Sequence, residues 1–195
     1  MRIVLGLGNP GARYTATRHN VAWHVLDALA ERLHAGPPER SRTYEARRTR
    51  RDDEDVVLLA PQTFMNRSGE ALVEWEQRHG FDPGSLLVVT DDVYLPLGML
   101  RLRAEGSSGG HRGLESLEAA IGHRQYARLR IGVDAAESSA ALREHVLEEF
   151  APEEQPALEA AIRQAADAVE CWMSEGILSA MNRFNRRVRR EESET

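Results

Sequence analysis

A histidine, an aspartate and two asparagines occupy positions from which they could form one catalytic site. His19 follows a short loop after the first strand-like segment, and Asp91 ends an apolar run. Asn9 follows the first strand-like segment, and Asn66 lies between a strand-like segment and a predicted helix. A carboxylate can fix the tautomer of a histidine and leave its other ring nitrogen to deprotonate water, while asparagine amides bind substrate and oppose oxyanion charge. On spacing alone, a capping or surface role explains His19 better, so its context has to decide.

Residues 6–11 match the glycine pattern of dinucleotide-binding folds directly after a strand-like segment. In those folds a helix begins at the glycines, so that its N-terminus faces the pyrophosphate. Here Pro10 and Gly11 lead into further loop residues, and the acid expected about twenty residues on is Glu31, inside a predicted helix. We therefore reject dinucleotide binding.

Residues 106–110 match the pattern of a serine nucleophile centred on Ser108, and Asp134 and His145 follow in the order that serine hydrolases of the α/β type use. Such a serine should follow a buried central strand. The strand predicted before it carries arginines on one side, which is typical of a wet face. Ser108 as a nucleophile stays an alternative, beside a plain loop of small residues that lies close to a ligand.

Apolar periodicity predicts the elements that would position these residues. Strands are predicted at residues 2–7, 43–50, 56–60, 86–90, 99–104 and 129–133. Helices are predicted at residues 17–33, 68–79 with Ser68 as the N-cap, 113–121, and beyond 140 with a break at Gly176. This alternation predicts an α/β fold with a mixed sheet flanked by helices. Asn9, Asn66 and Asp91 would then lie beyond the carboxyl ends of strands, where ligands bind in such sheets.

Composition narrows the classes of protein. A chain of 195 residues with 42% hydrophobic residues can bury one core, so we expect a single domain. No apolar run is long enough for a bilayer and no signal segment is present, which predicts a cytoplasmic protein. The lone cysteine, Cys171, makes an internal disulfide impossible and a zinc site improbable. All 25 basic residues are arginine, which excludes chemistry that depends on lysine.

The formal net charge of −6 is unevenly distributed. Arginines cluster at residues 40–51, 101–103, 112–130 and 183–190, whereas acids dominate residues 134–175. One basic face and one acidic helical layer would allow an acidic protein to bind a polyanion. Ordinary solvated faces remain the alternative, above all for the C-terminal cluster.

Five motifs, in order, resemble the bacterial peptidyl-tRNA hydrolases. They are residues 6–11 with Tyr14 and 17–20, residues 63–69, residues 91–98, residues 109–114 and residues 128–132. The resemblance runs from residue 2 to about residue 185, and five ordered motifs are far more specific than either glycine pattern.

The resemblance implies a single domain over residues 1–188 with a charged, disordered tail at 189–195. It implies hydrolysis of the ester bond of peptidyl-tRNA, which recycles tRNA from stalled or abandoned translation. It implies no metal or organic cofactor, no membrane, no obligatory protein partner, and a monomer that contacts the acceptor stem and 3′ end of the tRNA.

The resemblance also implies roles for single residues. His19 would be the catalytic base and Asp91 its partner, and Asn9 and Asn66 would bind the peptide and ester end. The remaining positions are Tyr14 and Met65, which would line the cleft, and Arg103 and Arg130, which would bind the 5′ phosphate of the tRNA. Phosphate contacts give affinity for any tRNA sequence.

Arg112 departs from the family pattern, which usually has asparagine between the histidine and glycine of residues 111–113. That asparagine is implicated in positioning water and the tRNA 3′ end. A cation there would either weaken the site or bind phosphate directly, which makes Arg112 a candidate binding residue. It also keeps open a second alternative, a relative that binds RNA without turning it over.

Overall fold

The computed structural model describes residues 1–134 and 142–185, and it contains a sheet of seven strands flanked by helices. The strands are β1 (Arg2–Gly6), β2 (Glu39–Arg40), β3 (Tyr44–Arg51), β4 (Glu54–Pro61), β5 (Leu86–Asp92), β6 (Leu100–Arg103) and β7 (Ala127–Gly132). The helices are α1 (Val21–Arg32), α2 (Gly69–His79), α3 (Arg112–Ile121), α4 (Leu142–His145), α5 (Gln155–Glu175) and α6 (Ile177–Phe184). The described helices include none that is long and apolar enough to span a membrane.

The sheet has a parallel centre and antiparallel edges, in the order β2-β3-β4-β1-β5-β7-β6. β1 runs parallel to β4 and β5, and β5 runs parallel to β7. β2, β3 and β6 pair antiparallel with their neighbours. The predicted mixed sheet is therefore confirmed. The four parallel strands end at the same edge, so the loops that follow them converge there.

Two hydrophobic clusters cover the two faces of the sheet. One joins the inner face of α1, at Val21, Val25 and Leu29, to small residues of α5 such as Ala165. The other places Trp75 of α2 among the side chains of α3 and the opposite face of the sheet. β1 and β5 are buried on both faces, which explains why they are continuous apolar runs and do not alternate.

Several details differ from the prediction. β2 was not predicted, because two exposed residues carry no periodic signal. Ser68 stands at the N-cap of α2 but does not cap it, since its hydroxyl donates to the carbonyl of Met65 at 2.8 Å. A separate 3-10 turn (Arg18–Asn20) precedes α1, so His19 lies just before that helix. The predicted domain end at 188 and the tail at 189–195 fall outside the described residues.

The sequence suggested that the arginine cluster at residues 40–51 forms a free basic surface. The structure shows that it does not. Five of its six arginines, all except Arg42, lie next to carboxylates on the same sheet edge or on neighbouring helices. The ion pairs are Arg40–Glu45, Arg47–Asp27, Arg48–Glu39, Arg50–Asp55 and Arg51–Glu170. The field of this cluster is therefore largely neutralised.

Candidate active site

The structure brings His19 and Asp91 together at the carboxyl edge of the sheet. Nδ1 of His19 lies 2.9 and 2.8 Å from the two carboxylate oxygens of Asp91. The Asp91 side chain is 1% exposed and that of His19 is 14% exposed, so only the histidine reaches solvent. Because an ionised carboxylate can only accept, Nδ1 carries the hydrogen and Nε2 keeps the free lone pair. This is the geometry of a general base.

A distant segment holds the turn that carries His19. The backbone N–H of His19 donates to the carbonyl of Val146 at 2.9 Å, and that of Arg18 donates to Glu148 at 3.0 Å. The buried Arg18 guanidinium makes two hydrogen bonds to Glu154, at 2.9 and 2.7 Å. The position of His19 therefore depends on contacts more than a hundred residues along the chain.

A second histidine, His111, also contacts Asp91. Its Nε2 lies 2.9 Å from Oδ1 of Asp91 and 2.8 Å from the hydroxyl of Thr90. Burial alone would raise the pKa of Asp91, but the charges of His19 and His111 and the hydrogen bonds from both rings hold it well below its usual range. His111 had no role in our sequence-based assignment. The signal that could have found it was its place in the family motif at residues 109–114, between a glycine pair and a predicted helix.

The ligating atoms of His19, Asp91 and His111 lie within 4.8 Å of one another, a set that could hold a transition metal. A metal-bound histidine normally donates a hydrogen bond from its second ring nitrogen. Nδ1 of His111 instead accepts from the backbone N–H of Gly113 at 3.2 Å and that of Leu114 at 3.4 Å. Its hydrogen must then be on Nε2, which faces Asp91. The donor set therefore fits a hydrogen-bonded cluster better than a metal centre.

A cleft of about 290 Å³ opens over this cluster. Its lining includes His19, Asp91, His111, Arg112, Arg130 and Tyr94. Tyr94 is 68% exposed, so its ring is available to a ligand. A larger groove of about 540 Å³ lies between α2 and α3 and is lined by none of the predicted site residues.

Asn9 is buried and does not line the 290 Å³ cleft, and its side-chain carbonyl oxygen is already used. Its Oδ1 accepts the backbone N–H of Met65 at 2.9 Å. Its own backbone N–H donates to Oδ1 of Asn20 at 2.8 Å, and Nδ2 of Asn20 donates back to its backbone carbonyl at 3.0 Å. The side-chain amide nitrogen Nδ2 of Asn9 therefore remains available to bind a substrate. Asn20 is a second positioning residue to which we had assigned no role.

The other predicted peptide-binding residues lie next to Asn9, outside the lining of the 290 Å³ cleft. Asn66 is exposed in the 3-10 turn Met65–Arg67. Tyr14 is partly exposed and packs edge-on against Phe64, with ring centroids 6.4 Å apart. Met65 is 5% exposed and lies in the core. Its sulfur packs so closely on Gly113 that a Cβ there would come within 2.5 Å, so Met65 supports the start of α3 from below.

The predicted phosphate-binding arginines share one face of the sheet. Arg101 pairs with Arg130 and Arg103 with Arg128 across β6 and β7, and residues directly opposite each other point to the same side. Arg103 is exposed and has no ion pair among residues 1–134 and 142–185. Nε of Arg130 lies 3.0 Å from a carboxylate oxygen of Asp92, at the rim of the cleft.

Arg112 and Arg128 differ sharply in their surroundings. Arg112 is exposed at the first residue of α3 and forms no ion pair within the described part of the chain. Arg128 is 1% exposed and donates to the backbone carbonyls of Ser107 and Arg124, at 3.0 and 3.2 Å. A buried arginine thus anchors the glycine-rich loop at 106–110, while Arg112 offers a free cation to the cleft.

The alternative of a serine nucleophile is wrong. Ser108 follows β6, an edge strand, and its hydroxyl accepts the N–H of Gly110 at 3.3 Å. Nε2 of His145 faces the backbone carbonyls of Val133 and Asp134, at 3.2 and 3.1 Å. The carboxylate of Asp134 accepts the N–H of Leu97 at 2.8 Å. Each of the three side chains is engaged elsewhere.

Comparison with known proteins gives one consistent result. A family model described as "Peptidyl-tRNA hydrolase" matches residues 3–193. The chain is 42% identical over 185 residues to a peptidyl-tRNA hydrolase of Halalkalibacterium halodurans, covering 95% of this chain and 100% of the relative. It is 42% identical over 186 residues to one of Symbiobacterium thermophilum, covering 94% and 98%. The crystal structure of peptidyl-tRNA hydrolase from Acinetobacter baumannii matches with a TM-score of 0.88 and 31% identity, covering 95% and 94%.

Proposed function

Because this chain belongs to the peptidyl-tRNA hydrolase family and hydrolyses the ester bond of peptidyl-tRNA, we propose that His19 and Asp91 activate the water that attacks this ester. The observation that carries the proposal is the 2.8 Å contact between His19 Nδ1 and the buried Asp91 carboxylate. It leaves Nε2 of His19 as a base at the floor of an open cleft.

The reaction follows from that geometry. Nε2 of His19 removes a proton from water as the oxygen attacks the ester carbonyl, and a tetrahedral intermediate forms. Asp91 stabilises the imidazolium that results, without taking its proton. When the intermediate collapses, the bond between the carbonyl carbon and the ribose oxygen breaks, and His19 gives its proton to that oxygen, so that the tRNA leaves with a free ribose hydroxyl. The free Nδ2 of Asn9 and the exposed amide of Asn66 bind the peptide and ester end.

Basic residues around the cleft bind the tRNA. Arg103 and Arg130 contact phosphate at its 5′ end, which sets the register of the acceptor stem without reading sequence. Arg112, unpaired within the described residues and at the cleft, contacts the 3′ end. Tyr14 packs on Phe64 beside Asn9 and borders the path of the peptide. We also propose that the protein acts as a monomer in the cytoplasm, where it recycles tRNA.

The test is release of N-acetyl-aminoacyl groups from tRNA in chelator-treated buffer. The wild type should turn over, whereas His19→Ala should lose about two to four orders of magnitude in kcat, the range that one general base contributes. Asp91→Asn should lose activity strongly as well, because an amide can stabilise the wrong tautomer of His19. Full activity in His19→Ala would refute the proposed base.

The alternative of a silent RNA-binding relative rests on Arg112, a residue of the cleft lining that departs from the family pattern. Tight tRNA binding by the wild type without any turnover would favour it. A turnover that is lost in His19→Ala would exclude it.

A further inference from the structure

His111 contacts Asp91 and the first turn of α3 through different ring nitrogens. Nδ1 accepts the backbone N–H groups of Gly113 and Leu114, at 3.2 and 3.4 Å. A nitrogen that accepts two N–H groups has no room for a hydrogen of its own. The ring hydrogen is therefore on Nε2, 2.9 Å from Oδ1 of Asp91. The backbone of α3 thus selects the tautomer in which His111 donates to the carboxylate.

This donation matters because Asp91 is sealed from water. Its side chain is 1% exposed, so no solvent replaces a missing hydrogen bond there. His19 approaches both carboxylate oxygens through one nitrogen, while His111 approaches Oδ1 from the side of α3. The two rings are 5.1 Å apart between centroids and hold the carboxylate between them.

We propose that His111 is a positioning residue for the hydrolysis: it holds Asp91 in the orientation that faces His19 and takes up part of its negative charge. A carboxylate that already accepts one donor binds an imidazolium less strongly. With Asp91 fixed in this way, Nδ1 of His19 keeps its hydrogen bond to the carboxylate and Nε2 stays directed into the cleft. This inference rests on His19 being the base, as proposed above.

The effect of His111 on Asp91 can be measured only if the other charged groups near His19 keep their contacts in the variants. Those that line the cleft or adjoin His19 are Asp92, Tyr94, Arg112, Arg130 and Arg18. Asp92 pairs with Arg130 and Arg18 with Glu154, so both are already compensated. None of them contacts Nε2 of His111, whose partners among the described residues are Thr90 and Asp91.

Two substitutions separate the contacts of the two ring nitrogens. In His111→Asn, the amide oxygen can occupy the place of Nδ1 and keep the contact to α3. The hydrogen bond from residue 111 to Asp91 is lost. In His111→Gln, the longer amide can place its nitrogen where Nε2 was, but the contact to α3 is lost. His123→Asn is the matched control, because Nδ1 of His123 also accepts a backbone N–H, from Gln125 at 3.2 Å, away from the cleft.

The experiment measures kcat and KM for N-acetyl-aminoacyl-tRNA, together with the melting temperature of each variant. We expect His111→Asn to melt like the wild type and to lose roughly ten- to a hundredfold in kcat, as loss of a hydrogen bond to a charged group implies, while KM stays near the wild-type value. His111→Gln should melt at a lower temperature yet keep most of its kcat, and His123→Asn should match the wild type.

Three outcomes would overturn the inference. One is a wild-type kcat in His111→Asn. Another is the same loss of kcat in both His111 variants, which would mean that only the structure of α3 matters. The third is a rise in KM of His111→Asn as large as its fall in kcat, which would mean that His111 binds the substrate directly. His19→Ala in the same assay separates failure of the proposed base from failure of the role of His111. If His19→Ala remains active, the proposed base is wrong. If His19→Ala is inactive while His111→Asn is normal, only the role of His111 is wrong.

Discussion

Asn9 and Asn20 hold each other by two hydrogen bonds that cross the loop between β1 and α1. The N–H of Asn9 donates to Oδ1 of Asn20 at 2.8 Å, and Nδ2 of Asn20 donates to the carbonyl of Asn9 at 3.0 Å. Since His19 is the neighbour of Asn20, this exchange ties the proposed base to the proposed substrate amide. Both asparagines are buried, so no water can take the place of either bond.

Asn20→Asp should therefore disturb stability and substrate binding together. The new carboxylate keeps the acceptor but removes the donor and repels the Asn9 carbonyl. We expect the free energy of unfolding to fall by about 1–3 kcal/mol and KM to rise, which urea titration and steady-state kinetics would measure. Asn182→Asp, on the exposed side of α6, is the control and should change neither. Unchanged stability in Asn20→Asp would contradict this role.

The ion pair between Arg18 and Glu154 should make the free energy of unfolding depend on pH in the acidic range. The hydrogen bond from Arg18 outweighs burial and lowers the pKa of Glu154. A carboxylate whose pKa is lower in the folded than in the unfolded protein stabilises the fold fully at pH values above the ordinary glutamate value of about 4.3. This stabilisation is lost as the pH falls through the pKa of the folded state. Glu154→Gln should thus be less stable than the wild type at pH 7, and the difference should shrink in acid. Unfolding in urea at several pH values checks this, and a constant difference would count against it.

Removal of Arg103 should weaken use of tRNA and leave the chemistry intact. We expect kcat/KM of Arg103→Ala for N-acetyl-aminoacyl-tRNA to fall and its dependence on salt to flatten by about one phosphate contact. Hydrolysis of a minimal ester should be little affected. Arg50→Ala, which removes an exposed arginine paired with Asp55, is the matched control. Equal losses on both substrates would disprove a phosphate contact.

Arg112 offers a test of the departure from the family pattern. If its cation binds the tRNA 3′ end, Arg112→Asn should raise KM for the tRNA substrate severalfold and flatten its salt dependence. The value of kcat should stay near that of the wild type, because Arg112 has no contact with His19 or Asp91 among the described hydrogen bonds. A large gain in kcat would instead mean that the arginine obstructs the site.

Periodicity was enough to predict the central sheet and the edge at which Asp91 lies, whereas the pairing of His19 with Asp91 needed the resemblance to the family. Buried parallel strands are continuous apolar runs, and polar residues that follow them must meet at one edge. The role of His111 was beyond such reasoning, because it requires the N-terminus of α3 to lie against the end of β5. Arg128 was missed for a similar reason. Arginine side chains usually lie in solvent, so nothing in the sequence predicts a buried one. In the structure, the guanidinium of Arg128 lies in the interior and donates to the backbone carbonyls of Ser107 and Arg124.

The attachment of His19 to the segment around Val146 has a consequence for the order of folding. A growing chain that has completed β7 already contains the sheet strands, Asp91 and His111. It still lacks Val146, Glu148 and Glu154, which hold the turn with His19. Catalytic competence therefore arrives late in biosynthesis, and products truncated after β7 would lack both the contacts that hold His19 and the helix α5 that covers one face of the sheet.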